Sequence, residues 1–189
     1  MGYDVKTGFT HESPAGGPDE WYTPREIFQA LGVEYDMDVC SPGPDVVPWI
    51  PAKRHITRQD DGLVVGWSGR VWVNPPYGKS TGMWLDRLSE YRNGIALVMS
   101  RTDTLWFHRN IRLADAICFI KGRISFIYPD IAADYAKGLK EPKGNCGAGS
   151  VLLAFGDANI EPVINCGLGW AVRPHRGAKH QRTKTLFNP

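Results

Sequence analysis

The stretch GIALVMS, residues 94–100, is apolar up to its final serine. A strand that shows a single face to a core alternates apolar with polar residues. An unbroken run therefore predicts a strand covered on both faces. DAICFI (115–120) and SVLLAF (150–155) read the same way. The cover comes from segments with helical spacing: TPREIFQALG (23–32), GMWLDRLSEYR (82–92) and TLWFHRNIRLA (104–114). In the first, Thr23 and Glu26 predict a capping box, Pro24 suits the first helical position and Gly32 stops the helix. In the second, Trp84, Leu85, Leu88 and Tyr91 form the inner face.

VEYDMDV (33–39) alternates Val33, Tyr35, Met37 and Val39 with Glu34, Asp36 and Asp38, predicting a strand with one acidic side. RVWVN (70–74) is a short strand that ends at Asn74, and RISFIY (123–128) is another. CSPGPDVVPWIPAK (40–53) is turn-rich and irregular, and the polar stretch Pro129 to Gly149 is predicted as a long loop. Buried strands alternating with helices predict an α/β fold: a mostly parallel sheet, helices on both faces, and an antiparallel edge where strand follows strand late in the chain. Ligands of such sheets bind beyond the carboxyl ends of the strands. Asn74 and Asp38 both end strands, so they share that rim.

The 189 residues suit one well-cored domain, read as 19–172, between a Gly/Pro-rich arm (1–18) and a basic tail (173–189). The net charge is only +2, so the average says little about partners. The distribution says more: Arg173, Arg176, Lys179, Arg182 and Lys184 follow one another without an intervening acid, which makes the tail a candidate for phosphate contact as well as a solvated terminus. Neither a transmembrane run nor a charged-then-apolar leader is present in the sequence, so no membrane partner is predicted. Cys40, Cys118, Cys146 and Cys166 are scattered without a C-x-x-C pair, so no metal site is predicted and a reducing, cytoplasmic setting is expected.

The end of the RVWVN strand carries the chemistry. In VWVNPPYG (71–78), Pro75 and Pro76 fix the backbone and restrict the residue before each. Neither has an N–H, so the turn presents acceptors: the Asn74 side-chain oxygen and main-chain carbonyls, notably that of Pro75. Tyr77 adds a flat face. Two placed acceptors and an aromatic face suit a planar amino group with two donors, such as N6 of adenine. Two hydrogen bonds accepted from its protons help that nitrogen pyramidalise and gain positive charge as it attacks, an electrostatic assistance of several kcal/mol in order of magnitude. YGKS (77–80) looks like the end of a phosphate-binding loop, but that loop needs a glycine where Val73 stands, which excludes a nucleoside triphosphatase.

NPPY resembles motif IV of the amino methyltransferases that use S-adenosylmethionine. The ordered set DEWYTPREIFQAL, YDMDVCSP, DDGLVVGW, VWVNPPYG, RTDTLWFH and GRISF resembles the phage-type DNA N6-adenine methyltransferase family, over Asp19 to Phe155. The resemblance implies a Rossmann-like methyltransferase fold, S-adenosylmethionine as cofactor and double-stranded DNA with a flipped adenine as partner. Its motif IV covers Asn74, Pro75, Pro76 and Tyr77, the catalytic set. Its cofactor side covers Trp21, Tyr22, Thr23 and Pro24 (motif X) with Asp38 and Cys40 (motif I). Asp61 matches the motif III acid that holds the cofactor's adenine amino group, with Asp60 its neighbouring alternative; either can instead serve the ribose hydroxyls. One departure is plain: motif I normally carries a glycine-rich turn, whereas DVCSPGPD has only Gly43, so Asp38 is preferred to Asp36 by position alone.

On the DNA side the candidates are Arg101 after the buried strand, Arg123 in GRISF, Lys137, Lys140 and Lys143 in the polar stretch, and the tail residues Arg173, Arg176, Lys179 and Arg182. Arg101 and Asp103 read equally as a helix-cap cluster, and Trp106 and His108 as packing and surface residues. The same acceptor logic serves amino groups of RNA or protein glutamine, and a non-catalytic nucleic-acid-binding shell is the alternative from another class.

Overall fold

The computed structural model describes residues 21–78, 80–142, 144–145 and 147–174. Its sheet joins β2 (Ala52–His55), β1 (Tyr35–Asp38), β3 (Val71–Val73), β4 (Gly94–Met99), β8 (Ser150–Phe155), β5 (Ala116–Ile120) and β9 (Gly169–Val172), in that spatial order. The first four are mutually parallel. β8 is antiparallel to both β4 and β5, so β5 points the same way as β4. β9 closes the antiparallel edge. The carboxyl ends of β1 to β5 therefore meet at one rim. This is the expected α/β architecture, consistent with a Rossmann-like methyltransferase fold.

Strand alternation sends side chains into two buried layers. Trp72, Ile95, Leu97, Leu152 and Ala154 face a layer with Ile27 and Phe28 of α1 (Arg25–Leu31), Tyr135 of α4 (Ala132–Ala136) and Val163 of α5 (Ile160–Ile164). Val71, Val73, Ala96, Val98 and Leu153 face the other, with Trp84, Leu85 and Leu88 of α2 (Thr81–Tyr91) and Phe107 of α3 (Leu105–Ile111). Covering both faces is what the apolar runs demanded. Cys118 and Cys166, far apart in sequence, meet in the first layer with their sulfurs 3.6 Å apart.

Several expectations are corrected. The capping box does not form: Pro24 is the N-cap residue, α1 has no side-chain cap, and Thr23 lies one residue earlier with its hydroxyl buried. Glu26 instead accepts a hydrogen bond from the Tyr135 hydroxyl (3.2 Å). Gly32 does end α1, in the left-handed region at φ 62°. The acids of β1 do not share a side. The amides of Asp36 and Met37 both reach the Arg70 carbonyl (2.7 and 3.3 Å), which breaks the alternation. Asp36 stays half-exposed on Lys53 (2.8 Å) while Asp38 is buried. RISFIY yields only β6 (Ser125–Phe126), paired with β7 (Gly144–Asn145), and one bridge from Ile127 to Tyr22. The stretch 129–149 is not a structureless loop: it holds a 3-10 turn at Pro129–Ile131, then α4, then β7.

Candidate active site

β3 delivers Asn74 to the rim, and the two prolines carry the chain away from the sheet. Pro75 is buried and Pro76 exposed, and Asn74 and Tyr77 are half-buried between them. Two contacts fix the Asn74 carboxamide. Its Nδ2 donates to the main-chain carbonyl of Trp21 (2.7 Å), and its Oδ1 accepts from the Tyr77 hydroxyl (3.1 Å). A carbonyl can only accept, so the first bond decides which end of the amide is nitrogen. The loop is tied down beyond Tyr77 by buried Thr81, whose hydroxyl accepts from the Gly78 amide (3.2 Å) and donates to the Pro76 carbonyl (3.1 Å). Gly78 has φ 132°, open only to glycine at low cost.

Trp21 and Tyr22 cross over this rim. The Tyr22 amide and carbonyl exchange bonds with Ile127 (3.0 Å each). The Trp21 ring packs on Phe126 and Tyr128, with centroids 5.8 and 5.1 Å away, and Tyr77 meets Phe126 at 6.2 Å. Four aromatic rings thus form a linked cluster, and two of their residues, Trp21 and Tyr77, hold the asparagine. Thr23 and Pro24 follow directly. The Thr23 carbonyl accepts from Trp49 Nε1 (2.9 Å), whereas its buried Oγ1 has no partner among the described residues.

Next door, β1 ends at Asp38, which is 2% exposed. Its Oδ1 accepts from the Cys40 amide (3.3 Å), and its Oδ2 lies 3.8 Å from His55 Nδ1, at the end of β2. Burial pushes the Asp38 carboxyl up to about 7, against the pull of the Cys40 amide and the Ser41 hydroxyl. Asp60 and Asp61, after β2, are exposed. Asp60 accepts from the Thr57 hydroxyl (2.7 Å) and amide (2.9 Å), bonds that hold it below the usual carboxylate range. Asp61 has φ 54° and accepts from the Leu63 amide (3.0 Å). Gly62 packs against the Val39 carbonyl and the Trp84 ring, which seats the Asp60–Asp61 turn beside the exit of β1.

A family model described as DNA N-6-adenine-methyltransferase (Dam) matches residues 11–158. The chain belongs to this family. Neither a curated protein nor a solved structure matches it. A DNA adenine methyltransferase needs an amino-group acceptor and a nucleic-acid face, and the rim supplies a placed acceptor in Asn74 Oδ1. The basic candidates divide. Arg101 follows β4 with Nε 3.4 Å from Asp103 Oδ1, and exposed Arg123 follows β5, so both lie at the rim of Asn74. Lys137 is exposed after α4, and Lys140 pairs with Asp134 (3.1 Å). Arg173 follows β9 and leaves from the opposite rim, so the structure does not bring it to Asn74. Lys143, Arg176, Lys179, Arg182 and Lys184 lie outside the described residues.

Sequence reasoning did not single out Phe126, Tyr128, Thr81, Ser41 or His55. Phe126 and Tyr128 alternate within SFIY and carried a signal. The others become legible only through contacts between distant segments.

Proposed function

We propose that this methyltransferase, of phage or prophage type, moves a methyl group from S-adenosylmethionine to N6 of an adenine flipped out of duplex DNA. The observation that carries the reading is the bond from Asn74 Nδ2 to the Trp21 carbonyl (2.7 Å). It commits the amide nitrogen and leaves Oδ1 as the acceptor, now on the Tyr77 hydroxyl.

Trp21, Tyr22, Thr23 and Pro24 with Asp38 and Cys40 hold the cofactor, and Asp60 or Asp61 takes its adenosine end. The buried unpartnered Thr23 Oγ1 fits such a ligand, since a buried hydroxyl without a partner is costly. When bound, S-adenosylmethionine supplies an electrophilic methyl group on a sulfonium. Asn74 Oδ1 and the Pro75 carbonyl would accept hydrogen bonds from the two N–H groups of the adenine amino group and aim its nitrogen, which loses one proton to solvent only after it is methylated. The Tyr77 hydroxyl, now on Asn74 Oδ1 (3.1 Å), gives way to that amino group while its ring stacks on the base. Positioning supplies much of the rate of such a displacement. Arg101, Arg123, Lys137 and Lys140 meet the phosphates. The work is done in the cytoplasm of a bacterial or phage-infected cell; no helix among the described residues is long and apolar enough to cross a membrane.

The test is to incubate the protein with labelled S-adenosylmethionine and adenine-unmethylated duplex, beside RNA and protein acceptors. Label recovered as N6-methyladenine from the duplex is the expected result. Bound cofactor with label only in RNA or protein would overturn the acceptor, and no cofactor binding would leave a non-catalytic shell.

A further inference from the structure

The turn after β1 is built unlike a glycine-rich ligand turn. A glycine-rich turn leaves backbone amides free to face a ligand. Here the amides of Cys40, Ser41, Gly43, Val46 and Val47 are already engaged. Cys40 donates to Asp38 Oδ1 (3.3 Å) and Gly43 to Ser41 Oγ (3.1 Å). Ser41 donates to the Ile56 carbonyl (3.0 Å), and Val46 and Val47 both donate to the Gly43 carbonyl (3.2 Å). Positions 42 and 44 are prolines without an N–H. The first part of the turn therefore depends on side chains, since the Cys40 and Gly43 amides end on the Asp38 and Ser41 oxygens.

Two of them carry it. Ser41 Oγ is 2.8 Å from His55 Nδ1, and both side chains are buried: Ser41 is 5% exposed and the His55 side chain 6%. Ser41 Oγ accepts from the Gly43 amide, so its single proton is available to the imidazole or to Asp38. Burial keeps His55 below its ordinary range, which favours a neutral ring able to accept. The result is a chain from the end of β2, through imidazole and hydroxyl, to the backbone of the turn.

We propose that Ser41 and His55 are positioning residues for the methyl-donor site, a hydroxyl–imidazole brace that holds the turn after β1 in the place of the usual glycines. The proposal rests on the reading that S-adenosylmethionine binds at this turn. Neither residue need touch the transferred methyl group. Their action falls on cofactor affinity, through the turn that carries Asp38 and Cys40.

The experiment measures S-adenosylmethionine binding by calorimetry, together with steady-state methylation of duplex DNA, for the full chain and for Ser41→Ala, His55→Leu, His55→Asn and the double variant Ser41→Ala/His55→Leu. Loss of either partner is expected to weaken cofactor binding about tenfold, while kcat at saturating cofactor and KM for DNA stay within roughly threefold. The double variant is expected to be no weaker than the worse single one, since the two act as a unit. His55→Asn, which keeps a short hydrogen-bonding group, is expected to recover most of the affinity. If His55→Leu fails to fold, Ser41→Ala and His55→Asn still decide. Unchanged cofactor affinity would overturn the brace, and so would parallel losses in kcat, DNA binding and melting temperature, the mark of general damage. A wild-type chain that does not bind S-adenosylmethionine would instead overturn the cofactor reading, and the brace with it.

Discussion

Two proline-rich loops leave adjacent parallel strands at the same rim, and they are held in opposite ways. The turn after β1 is self-contained: its amides and its buried acid are engaged within the turn or with the exit of β2. The loop after β3 is held from outside. Trp21, 53 residues earlier, grips the Asn74 amide, and Thr81 of α2 grips the far end. In both loops prolines remove part of the backbone donors. Proline stiffens a chain but does not aim it. In the first loop local side chains do the aiming, which gives a closed seat. In the second a separate segment does it, which commits Asn74 Nδ2, leaves Oδ1 to the Tyr77 hydroxyl, and couples the amino-group site to the segment that precedes α1.

The sharpest way to break this contrast is Asn74→Ala. It is expected to lower single-turnover methyl transfer by about a hundredfold to a thousandfold, about 3 to 4 kcal/mol of transition-state stabilisation, the scale of losing one preorganised polar partner. Cofactor affinity, carried by the turn after β1 and by a Trp21–Pro24 segment that keeps its bonds to Ile127 and Trp49, is expected to change less than about twofold. Equal loss of both would merge the two loops into one unit. Thr81→Val tests the outside tether alone. Removing a buried hydroxyl with two partners is expected to cost about 1 to 2 kcal/mol, seen as roughly a tenfold fall in kcat with Asn74 still present.

On the closed side the test is pH. Asp38 is raised to about 7 by burial, well above an unfolded aspartate. The unfolded chain releases this proton near pH 4 while the folded chain keeps it. The stability that Asp38 contributes is thus complete below that pH and is lost as pH rises to about 7. Asp38→Asn removes the titration. Its melting temperature is expected to exceed that of the wild type by a few degrees at pH 8 and to match or fall below it near pH 5. A constant difference across that range would show that Asp38 stays ionised in the fold.

The two loops also differ in how much of them was legible. VWVN, then Pro-Pro and Tyr, announces an apolar strand, a rigid exit and an acceptor, because each property is local. The apolar runs of β4, β5 and β8 announced themselves for the same reason. β2 did not: as an edge strand it reads AKRH, with both lysine and arginine exposed, so no periodic apolar face marks it. β9, with Trp170 69% exposed, is the same case at the other edge. The alternation of Asp36 and Asp38 misled because one carbonyl, that of Arg70, takes both amides, an event set by β3 and not by β1. The Thr23 cap failed because Pro24 occupies the cap position and the preceding segment is pulled onto Ile127 and Trp49. The five residues of α4 are too few to show a period, although Tyr135 is buried and receives Arg25 through both its hydroxyl (2.9 Å) and its carbonyl (2.7 Å). Ser41 and His55 stand fourteen residues apart and carry no pattern that joins them.

The smallest expected effect asks whether the helix after β6 extends the open loop's side of the rim toward DNA. Tyr135 fixes α4 to α1 through Arg25 and Trp49, and α1 follows directly on Trp21 and Tyr22, so α4 is anchored to the segment that grips Asn74. Lys137 and Lys140 lie just beyond it, and Lys140 is partly neutralised by Asp134 at 3.1 Å. A lysine that meets a phosphate releases a counterion, and its loss flattens the dependence of log affinity on log salt by about one. Lys137→Glu is therefore expected to flatten that slope by about one, and Lys140→Glu by less, because Asp134 already competes for its ammonium. Both are expected to leave S-adenosylmethionine binding unchanged, since the closed turn shares no contact with them. If neither slope moves while Arg101→Glu and Arg123→Glu flatten it, the DNA path runs over the ends of β4 and β5, and α4 serves only to brace the Trp21–Pro24 segment that aims Asn74.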